Sequence, residues 1–271
     1  MTAQQPGTDA GAPTLTVAVL TRNEAANIGA CLKSAAFADQ LLVIDNGSTD
    51  GTVELARALG AEVHNYPDWQ GFAEQRNRQL AHARGDYVFF LDADEVLSPA
   101  LARELREVVA SRVQAVWQIR WRIVAFGAEL RHLRSGTWVE RLFCRTQLQQ
   151  WTGAVHEQAV LRGEPVPRLH LRNRLLHHTR PTVHASLVKL TQYAMLGAAK
   201  KSREGRRGGV LRGLASGSAM FLRIYVLRLG FLCGGPGFLY SLFVALEGFF
   251  RYAALRYDHD DLGESMERNA S

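Results

Sequence analysis

The sequence predicts an α/β fold, in which helices flank a mostly parallel sheet and a helical region follows toward the C-terminal end. Three observations predict it. Apolar runs of strand length alternate with helix-length stretches over residues 14–112. A looser alternation, typical of antiparallel strands, replaces this pattern beyond residue 113. From residue 181 onward the pattern is helical. Strand–helix alternation requires crossover connections, which join parallel strands.

Four strands and four helices are expected in the first part of the chain. The strand-like runs are LTVAVL (15–20), LLVID (41–45), AEVHNY (61–66) and YVFFLD (87–92). The helical stretches between them are EAANIGACLKSAAF, TVELARAL and EQRNRQLAHA. Asp50 is the expected N-cap of the second helix and Gly60 its end. Ser98, followed by Pro99, is expected to cap a fourth helix.

The later pattern predicts antiparallel strands at AVWQIRWRIVAF (115–126) and WVERLFCR (138–145). Together these patterns predict a division of the chain into segments. The expected segments are a disordered tail at 1–13, a domain at 14–180 with halves at 14–112 and 113–180, a helical, basic and hydrophobic region at 181–257, and an acidic tail at 258–271.

The composition limits the class of protein. The chain has 271 residues, of which 47% are hydrophobic. This is enough for one large domain or two small ones, and it excludes a composition typical of disordered chains. The three cysteines follow neither a metal-binding nor a disulfide pattern, which favours a reducing compartment. The N-terminal residues lack the basic and apolar regions of a secretory signal, so none is expected.

The charge is unevenly distributed along the chain. Residues 1–100 have 13 acids and 6 bases, whereas residues 101–271 have 13 acids and 26 bases. The acidic first part suggests a cation site, and the basic remainder suggests an anionic partner. Eight bases fall between residues 200 and 228, among long aliphatic runs. This interleaving favours a membrane surface over nucleic acid as the partner.

The segment 229–246 has no charged residue, but it contains GGPG at 234–237. Its length approaches that of a membrane-spanning helix, while the glycines and the proline favour a break into two short helices around a turn. The basic run KKSREGRR at 200–207 precedes it. Together these features predict an anchor that lies at the surface of an anionic leaflet. A buried helical hairpin of an ordinary globular protein is the alternative.

A group of carboxylates follows the fourth predicted strand. Asp92, Asp94 and Glu95 come directly after an apolar run. Ligands of parallel sheets bind beyond the carboxyl ends of the strands, so Asp92 and the strand-ending Asp45 should face one crevice. Asp-x-Asp at this position can hold Mg²⁺ or Mn²⁺, and the cation can hold a pyrophosphate. From the triplet alone, a solvated turn or a helix cap is the alternative.

Three separated motifs give these acids a context. VLTRNEAANI (19–28), VIDNGSTDGT (43–52) and RNRQLAHARGDYVFFLDADE (76–95) resemble the nucleotide-binding half of family 2 glycosyltransferases, which have the GT-A fold. This resemblance covers roughly residues 14 to 110. The motifs WQGFAEQRN, WTGAVHE, HHTRPT and RIYVLRLGFLCGGPGF resemble a narrower group, the bacterial lipopolysaccharide-core enzymes that add a glucose-like sugar to a heptose.

The resemblance implies a role for each matching residue. Asp45 would accept a hydrogen bond from the uracil ring, and Arg76 would reach the base, ribose or phosphates. Asp92 would contact the ribose, and Asp94 would ligate a divalent cation, Mg²⁺ or Mn²⁺. The residues expected to line the nucleotide pocket after the first strand are Thr21, Asn23 and Glu24.

Some of these positions have a simpler structural interpretation. Many family members have two acids where this chain has Asp45 and Asn46, so the uracil contact would depend on Asp45 alone. Asn23 and Glu24 could instead cap the first helix. Arg78 is expected on a solvated helix face. Turn and helix-start positions are expected for Ser48, Thr49 and Asp50.

Inverting sugar transfer requires a base that removes the proton of the acceptor hydroxyl. Glu157 in TGAVHEQ is the chosen candidate, because the related sequences have His-Glu there. Glu140 and Glu95 are the competitors, and a surface glutamate on a strand is the structural alternative. His178 could be a third metal ligand, as a histidine late in the GT-A domain often is; an ordinary core or surface histidine is the other interpretation.

These observations predict an inverting glycosyltransferase that moves a hexose, with glucose expected, from a UDP-sugar to a lipid-linked glycan. Lipopolysaccharide inner-core heptose is the expected acceptor. The enzyme is expected in the cytoplasm, peripheral on the inner face of the cytoplasmic membrane. One alternative is a polyprenyl-phosphate glycosyltransferase, whose ionised acceptor would have little use for Glu157 as a base. Another is a non-catalytic, nucleotide-binding membrane protein.

Overall fold

The computed structural model describes residues 11–134, 136–153 and 157–258. The chain divides into two compact units. The first comprises the described residues up to Arg120 together with Trp138–Leu175. The second comprises Trp121–Thr137 and the described residues from Leu176 onward. The domain boundaries expected from the sequence stay a prediction.

The strands, in chain order, are β1 Leu15–Thr21, β2 Gln40–Asp45, β3 Glu62–Asn65, β4 Tyr87–Asp92, β5 Glu95–Val96, β6 Val116–Ile119, β7 Trp121–Ala125, β8 Ala128–Glu129, β9 Val139–Cys144, β10 Leu148–Thr152, β11 Gln158–Leu161, β12 Arg168–His170 and β13 Leu175–Arg180. The helices are α1 Ile28–Ser34, α2 Thr52–Ala58, α3 Phe72–His82, α4 Pro99–Ala110, α5 Val183–Arg203, α6 Val210–Phe221 and α7 Gly234–Tyr257.

A seven-stranded sheet forms the centre of the first unit, in the order β12-β6-β9-β4-β1-β2-β3. The pairs β1–β2, β1–β4, β2–β3 and β6–β12 are parallel. Only β9, among the strands of this sheet, runs antiparallel to its neighbours β4 and β6. The expected α/β class with a mostly parallel sheet is therefore confirmed, and so is the antiparallel strand expected at 138–145.

The long strand expected at 115–126 is divided in two. Val116, Trp117 and Ile119 are buried in the sheet of the first unit. β7 begins at Trp121 and belongs to the second unit, where its first four residues are only half-buried. The same alternating pattern therefore covers two strands, β6 and β7, which belong to different sheets. Sequence periodicity does not reveal that one strand ends and another begins at Arg120.

The central strands are apolar because helices or loops cover both faces of the sheet. All seven residues of β1 are buried, and so are Tyr87–Leu91 of β4. Side chains of β1, β2, β4 and β9 meet Trp151 in one core. Leu20, Ile44 and Phe90, near the ends of β1, β2 and β4, belong to this core, so the residues that follow these strands start from packed positions.

The helix caps agree in part with the sequence. Ser98 caps α4, because its Oγ accepts the Leu101 N–H at 3.2 Å and Pro99 stands in the first turn. Asp50 does not cap α2, which begins at Thr52 after Gly51. Asp50 Oδ1 instead accepts the N–H of Thr52, the first residue of α2, at 3.0 Å. This bond closes a turn at the start of the helix. The expected end at Gly60 is confirmed: Gly60 has φ +81° and donates its N–H to the Arg57 carbonyl.

In the second unit, β13, β7 and β8 are neighbours in that order. The long helix α7 packs on both α5 and α6. A π-helical turn, Leu222–Leu227, extends α6, and a 3₁₀ turn, Gly230–Cys233, precedes α7.

The break expected at GGPG is wrong in position, because α7 begins at Gly234 and includes that motif in its first turn. Pro236 is tolerated there because a first-turn N–H has no partner within the helix.

A close backbone approach explains Gly85, which lies just before β4. A Cβ added there would lie 2.6 Å from the Thr16 amide nitrogen in β1. Gly85→Ala should therefore lower the free energy of unfolding by about 1–3 kcal/mol, the usual range for overpacking a filled core. Urea unfolding followed by circular dichroism measures the change.

Gly29→Ala is the matched control. Gly29 is inside α1, and an added Cβ would meet nothing within 4 Å. Alanine there should raise the free energy of unfolding by up to about 1 kcal/mol, because glycine is the poorer helix former. Equal effects at the two positions would contradict the close-approach explanation.

Candidate functional site

Three neighbouring strands end together at one edge of the seven-stranded sheet. Thr21 pairs with Asp45 at the ends of β1 and β2, and Leu20 pairs with Asp92 at the end of β4. Thr21, Asp45 and Asp92 therefore lie side by side at the carboxyl edge. This is the edge at which parallel sheets bind ligands.

Two arginines hold Asp92. Arg76 of α3 donates from Nη2 to Asp92 Oδ1 at 2.7 Å, and Arg141 of β9 donates from Nη2 to Oδ2 at 2.7 Å. Burial raises the pKa of Asp92, but the charges of Arg141 and Arg76 and their hydrogen bonds outweigh it, so that the pKa lies well below its usual range. Asp92 is therefore ionised at neutral pH.

Arg141 also binds Glu95. The same Nη2 donates to Glu95 Oε1 at 2.7 Å, while Glu95 Oε2 accepts the Asp92 N–H at 2.9 Å. Arg141 is 5% exposed and Glu95 only 1%. Burial lowers the pKa of Arg141, but the charges of Asp92 and Glu95 raise it well above its usual value. Arg76, Asp92, Glu95 and Arg141 form what we call the arginine–carboxylate cluster.

Sequence reasoning missed Arg141. The available signal was a charged residue inside the strand-like run VERLFC, where Leu142, Phe143 and Cys144 are buried. An arginine that points into a core needs a carboxylate partner. The sequence did not reveal the pairing of β9 with β4 that supplies Asp92.

Asp94 lies in the turn between Asp92 and Glu95 and is half-buried. Beneath this turn, the Cys31 thiol lies 3.7 Å from the Asp92 carbonyl oxygen. Burial raises the pKa of Cys31 well above its usual value, and the charges of Glu95, Asp92, Asp94 and Glu24 raise it further. Negative charge is therefore concentrated around this turn.

The residues at this edge suit a divalent cation that is completed by a ligand. Among the described residues, no group of three or more His, Cys, Asp or Glu side chains is arranged to hold a metal ion. A half-buried carboxylate is present at Asp94, beside the ionised Asp92. Mg²⁺ sites commonly have one or two protein carboxylates, with phosphate oxygens and water completing the shell. The residues present fit a site of this kind.

Asp45 is fully buried and shapes the loop that follows β2. Its Oδ2 accepts the N–H groups of Gly47 at 3.0 Å and Ser48 at 2.9 Å, and its Oδ1 accepts the Ser48 hydroxyl. Nearby, Thr21 Oγ1 and Asn46 Oδ1 are buried and have no hydrogen-bond partner in the part of the chain that the structure describes. Polar atoms of this kind are candidates to bind a ligand.

Asn23 and Glu24 join the loop after β1 to the loop after β2. Asn23 has φ +54° and accepts the Thr49 N–H at Oδ1 at 2.8 Å. The Asn23 and Glu24 N–H groups donate to Ser48 Oγ and Thr52 Oγ1, both at 2.8 Å. Neither residue occupies the N-cap of α1, which is Asn27. The turn positions expected for Ser48, Thr49 and Asp50 agree with these bonds.

Arg78 is not on a solvated face, contrary to the sequence prediction. Its side chain is only 11% exposed and donates from Nη2 to Asp68 Oδ2 at 2.6 Å. The guanidinium also lies 4.4 Å from the centre of the Tyr66 ring. Arg78 therefore holds the segment after β3 against α3, a tertiary pairing that a helical pattern does not show.

Glu157 lies at the hairpin between β10 and β11, where Thr152 pairs with Gln158. His156, the residue before it, lies outside the described residues. Asn77 of α3 holds this hairpin: its side chain accepts the Trp151 N–H at 2.7 Å and donates to the Trp151 carbonyl at 3.0 Å. The charge of Glu157 also contributes to the raised pKa of Arg141. Glu157 is therefore within electrostatic range of the arginine–carboxylate cluster.

The competing acids have other partners. Glu140 Oε1 accepts from Arg168 Nε at 2.7 Å and from Gln118 Nε2 at 3.3 Å. Glu95 is buried in the arginine–carboxylate cluster. His178 is an exposed residue of β13, in the second unit. Its expected role as a metal ligand stays a prediction.

Comparison with known proteins identifies the family. The model of glycosyl transferase family 2 matches residues 16–160. The lipopolysaccharide core biosynthesis glycosyltransferase LpsC of Rhizobium meliloti is 28% identical over 256 residues, which is 90% of this chain and 93% of that protein. The uncharacterized glycosyltransferase RT0209 of Rickettsia typhi is 28% identical over 255 residues, covering 88% of this chain and 85% of that protein.

Among solved structures, one similar protein is the Mycobacterium tuberculosis glucosyl-3-phosphoglycerate synthase in complex with Mn²⁺, UDP and glucosyl-3-phosphoglycerate. It is 25% identical, with a TM-score of 0.40, over 54% of this chain and 64% of that one. The family model matches more than half of the chain. On that evidence, the chain belongs to glycosyl transferase family 2 and is a glycosyltransferase.

Proposed function

We propose that this glycosyltransferase moves a hexose, with glucose expected, from a UDP-sugar to a lipid-linked glycan with inversion at the anomeric carbon. The observation that carries the proposal is the carboxyl edge of the sheet, where Asp45, Asp92 and Asp94 lie with Arg76. The proposed acceptor is lipopolysaccharide inner-core heptose, which the name of the 28% identical relative LpsC supports.

The nucleotide site follows from the fixed carboxylate of Asp45. A carboxylate has about four lone-pair positions. Three of them are used by the loop after β2, which leaves one for an imide N–H such as that of uracil. Thr21 and Asn46 offer further buried polar atoms beside it. Asn23 and Glu24 keep the two flanking loops together.

We assign the ribose and the diphosphate to the part of the carboxyl edge that Asp92 and Asp94 form. Asp92 is ionised and held at both oxygens by arginines, so it presents a fixed acceptor for a ribose hydroxyl. Asp94 would hold Mg²⁺ or Mn²⁺ together with the diphosphate, and His178 stays a candidate for a further ligand. A bound cation of this kind would supply Lewis-acid stabilisation of the leaving diphosphate.

Glu157 is the proposed base. In inverting transfer, the acceptor oxygen bonds to the anomeric carbon as the bond to the diphosphate breaks, and the acceptor hydroxyl loses its proton. Glu140 and Glu95 are engaged by arginines, whereas Glu157 stands on a hairpin near the cluster. A polyprenyl-phosphate acceptor would need no such base, so the requirement for Glu157 separates the two acceptor classes.

A membrane surface is the proposed location of the acceptor. Of twenty exposed large hydrophobic side chains in the described part of the chain, sixteen lie between residues 183 and 257. Two helical segments there, Val210–Leu227 and Gly230–Tyr257, are long and apolar enough to cross a membrane. Only 17% and 39% of their most apolar windows are buried, which disfavours an ordinary core hairpin. Apolar surface on this scale favours a binding partner.

Two of the three charged side chains of α7 contact other elements of the second unit, and the third, Arg256, is exposed near the end of the helix. Glu247 pairs with Arg180, and Arg251 lies directly against Gly197 of α5. Glycines let α6 approach closely: a Cβ at Gly213 would lie 2.8 Å from the Phe249 carbonyl oxygen. Small residues at a helix interface and inward charges are typical of helices in lipid.

The helical pair is held at both ends within the second unit. At one end, Ala198 and Ala199 of α5 pack on Ala254 and Leu255. At the other, Ile224 packs on Leu130 and Leu133. The Arg134 N–H also donates to the Arg228 carbonyl at 2.9 Å. A helical pair held at both ends by one unit suits an orientation along the membrane plane, with its basic residues toward the anionic inner leaflet.

The metal role of Asp94 predicts a cation-dependent affinity for UDP. Asp94→Asn should weaken UDP binding in Mn²⁺ at least tenfold, because the carboxylate charge is lost. EDTA should weaken binding to the parent by a similar factor. Isothermal titration calorimetry measures both, and Glu54→Gln, on the exposed face of α2, is the control. Equal affinity with and without metal would rule out this role.

The base role of Glu157 predicts a loss of turnover without a loss of donor binding. Glu157→Gln should lower kcat by about 10²–10⁴-fold, the usual contribution of general base catalysis. The affinity for UDP should stay within twofold, since the base acts on the acceptor. Glu164→Gln, an exposed neighbour, should change neither quantity. Turnover within a few-fold of the parent would move the base to Glu140 or Glu95.

The membrane surface predicts two separable contributions to vesicle binding. Each base near an anionic leaflet contributes on the order of 1 kcal/mol and is screened by salt. Buried apolar area contributes roughly 25 cal/mol per Å² at any ionic strength. High salt should therefore release only part of the protein in flotation, and high salt combined with reversal of Lys200, Lys201, Arg206 and Arg207 to Glu should release more.

The apolar contribution is tested at Leu211 and Leu227, which are 82% and 71% exposed. Changing both to Glu should abolish flotation, whereas Leu55→Glu in the first unit should not. Protease added on either side of the vesicle distinguishes the orientations, because helices in the membrane plane expose no flank on the far side. Soluble parent protein at low salt would end the membrane proposal.

A further inference from the structure

The turn from Asp92 to Glu95 is closed by a ring of hydrogen bonds that includes Arg141. The Asp92 N–H donates to Glu95 Oε2, Glu95 Oε1 accepts from Arg141 Nη2, and the same nitrogen donates to Asp92 Oδ2. Arg141 Nη1 also donates to the Phe90 carbonyl at 3.4 Å. Asp94 is inside this turn. A change in the backbone of the turn would therefore move Asp94.

Arg76 cannot replace Arg141 in this arrangement. Arg76 binds only the other oxygen of Asp92, and its second contact is Gln79 Oε1 at 3.2 Å. Without Arg141, Asp92 would keep the bond from Arg76, but Glu95 would lose the charged hydrogen bond that Arg141 donates. Removing one partner of a buried ion pair is strongly destabilising, and Glu95 is only 1% exposed. Glu95 would leave its place, and the Asp92 N–H would lose its acceptor.

We propose that Arg141 is a positioning residue for the donor site: it holds the Asp92–Glu95 turn closed and thereby sets the direction of Asp94. The inference rests on the proposed function, in which Asp94 meets a cation that is bound to the donor diphosphate. Arg141 touches neither the donor nor the cation in this assignment. It acts through Glu95 and Asp92.

Electrostatics and positioning predict opposite results for the loss of Arg141. Removing a positive charge near Asp94 should strengthen cation binding if charge alone matters. Opening the turn should weaken it, because the carboxylate no longer faces the site. The informative quantity is the factor by which Mn²⁺ improves UDP affinity over EDTA. That factor should rise for a purely electrostatic role and fall for a positioning role.

Cys31 provides a readout that needs no nucleotide. It is fully buried, and its thiol contacts the Asp92 carbonyl. Loss of a nearby positive charge would further disfavour its reactive thiolate and slow its labelling. Faster labelling would therefore report exposure caused by an opened turn. A Cys144→Ser, Cys233→Ser background leaves Cys31 as the single thiol.

The experiment compares three variants with the parent. Arg141→Met removes the guanidinium with little change in volume. Arg141→Met combined with Glu95→Met also removes the stranded carboxylate, which should restore the thermal midpoint without rebuilding the ring. Arg145→Met is the matched control, because Arg145 follows the opposite end of β9 and donates from Nε to the Gly85 carbonyl at 2.8 Å.

We expect Arg141→Met and the double variant to lower the Mn²⁺ enhancement at least tenfold and to label at Cys31 at least tenfold faster. Arg145→Met should change neither quantity by more than twofold. A folded Arg141→Met with the parent's enhancement and labelling rate would overturn the proposal, as would full recovery of both in the double variant. If the parent binds no UDP, the proposed function fails, and the labelling rates alone decide whether Arg141 holds the turn.

Discussion

The first unit depends on one electrostatic constraint, the need to neutralise carboxylates at the end of a buried strand. β4 delivers Asp92 and Glu95 to the edge of an apolar core, where an unpaired charge is strongly unfavourable. Arg76 of α3 and Arg141 of β9 provide the neutralising charges. Because both arginines are themselves buried, their positions fix those of the acids. The same interactions that allow β4 to end in acids also orient those acids.

Sequence reasoning reached the features that depend on local patterns. Apolar runs gave the parallel strands, and the ends of those runs placed Asp45 and Asp92 at one edge. The Ser98 cap and the antiparallel strand that contains Arg141 also followed from short-range signals. What it missed depends on tertiary pairing: Arg141 needed the β4–β9 register, and Arg78 needed the loop that contains Asp68.

The errors in helix boundaries have a similar cause. Asp50 has the right chemistry for an N-cap, but its carboxylate closes a turn with Thr52 instead. The GGPG motif suggested a break, yet the chain turns earlier, at Leu229 with φ +62°. There the turn is supported by the contact between Arg134 and Arg228, which are far apart in the sequence. Local propensity permits these alternatives, and tertiary contacts select between them.

The uneven charge of the chain has a physical consequence at the candidate site. Asp92, Asp94, Glu95 and Glu157 contribute four formal negative charges, and Arg76 and Arg141 contribute two positive ones. The net charge of this group is negative, which favours a cation. Glu95 and Asp92 are bound directly by arginine. The cation and the acceptor proton are assigned to the other two acids, Asp94 and Glu157. The arginines therefore do more than stabilise the fold, because they hold the turn in which Asp94 lies.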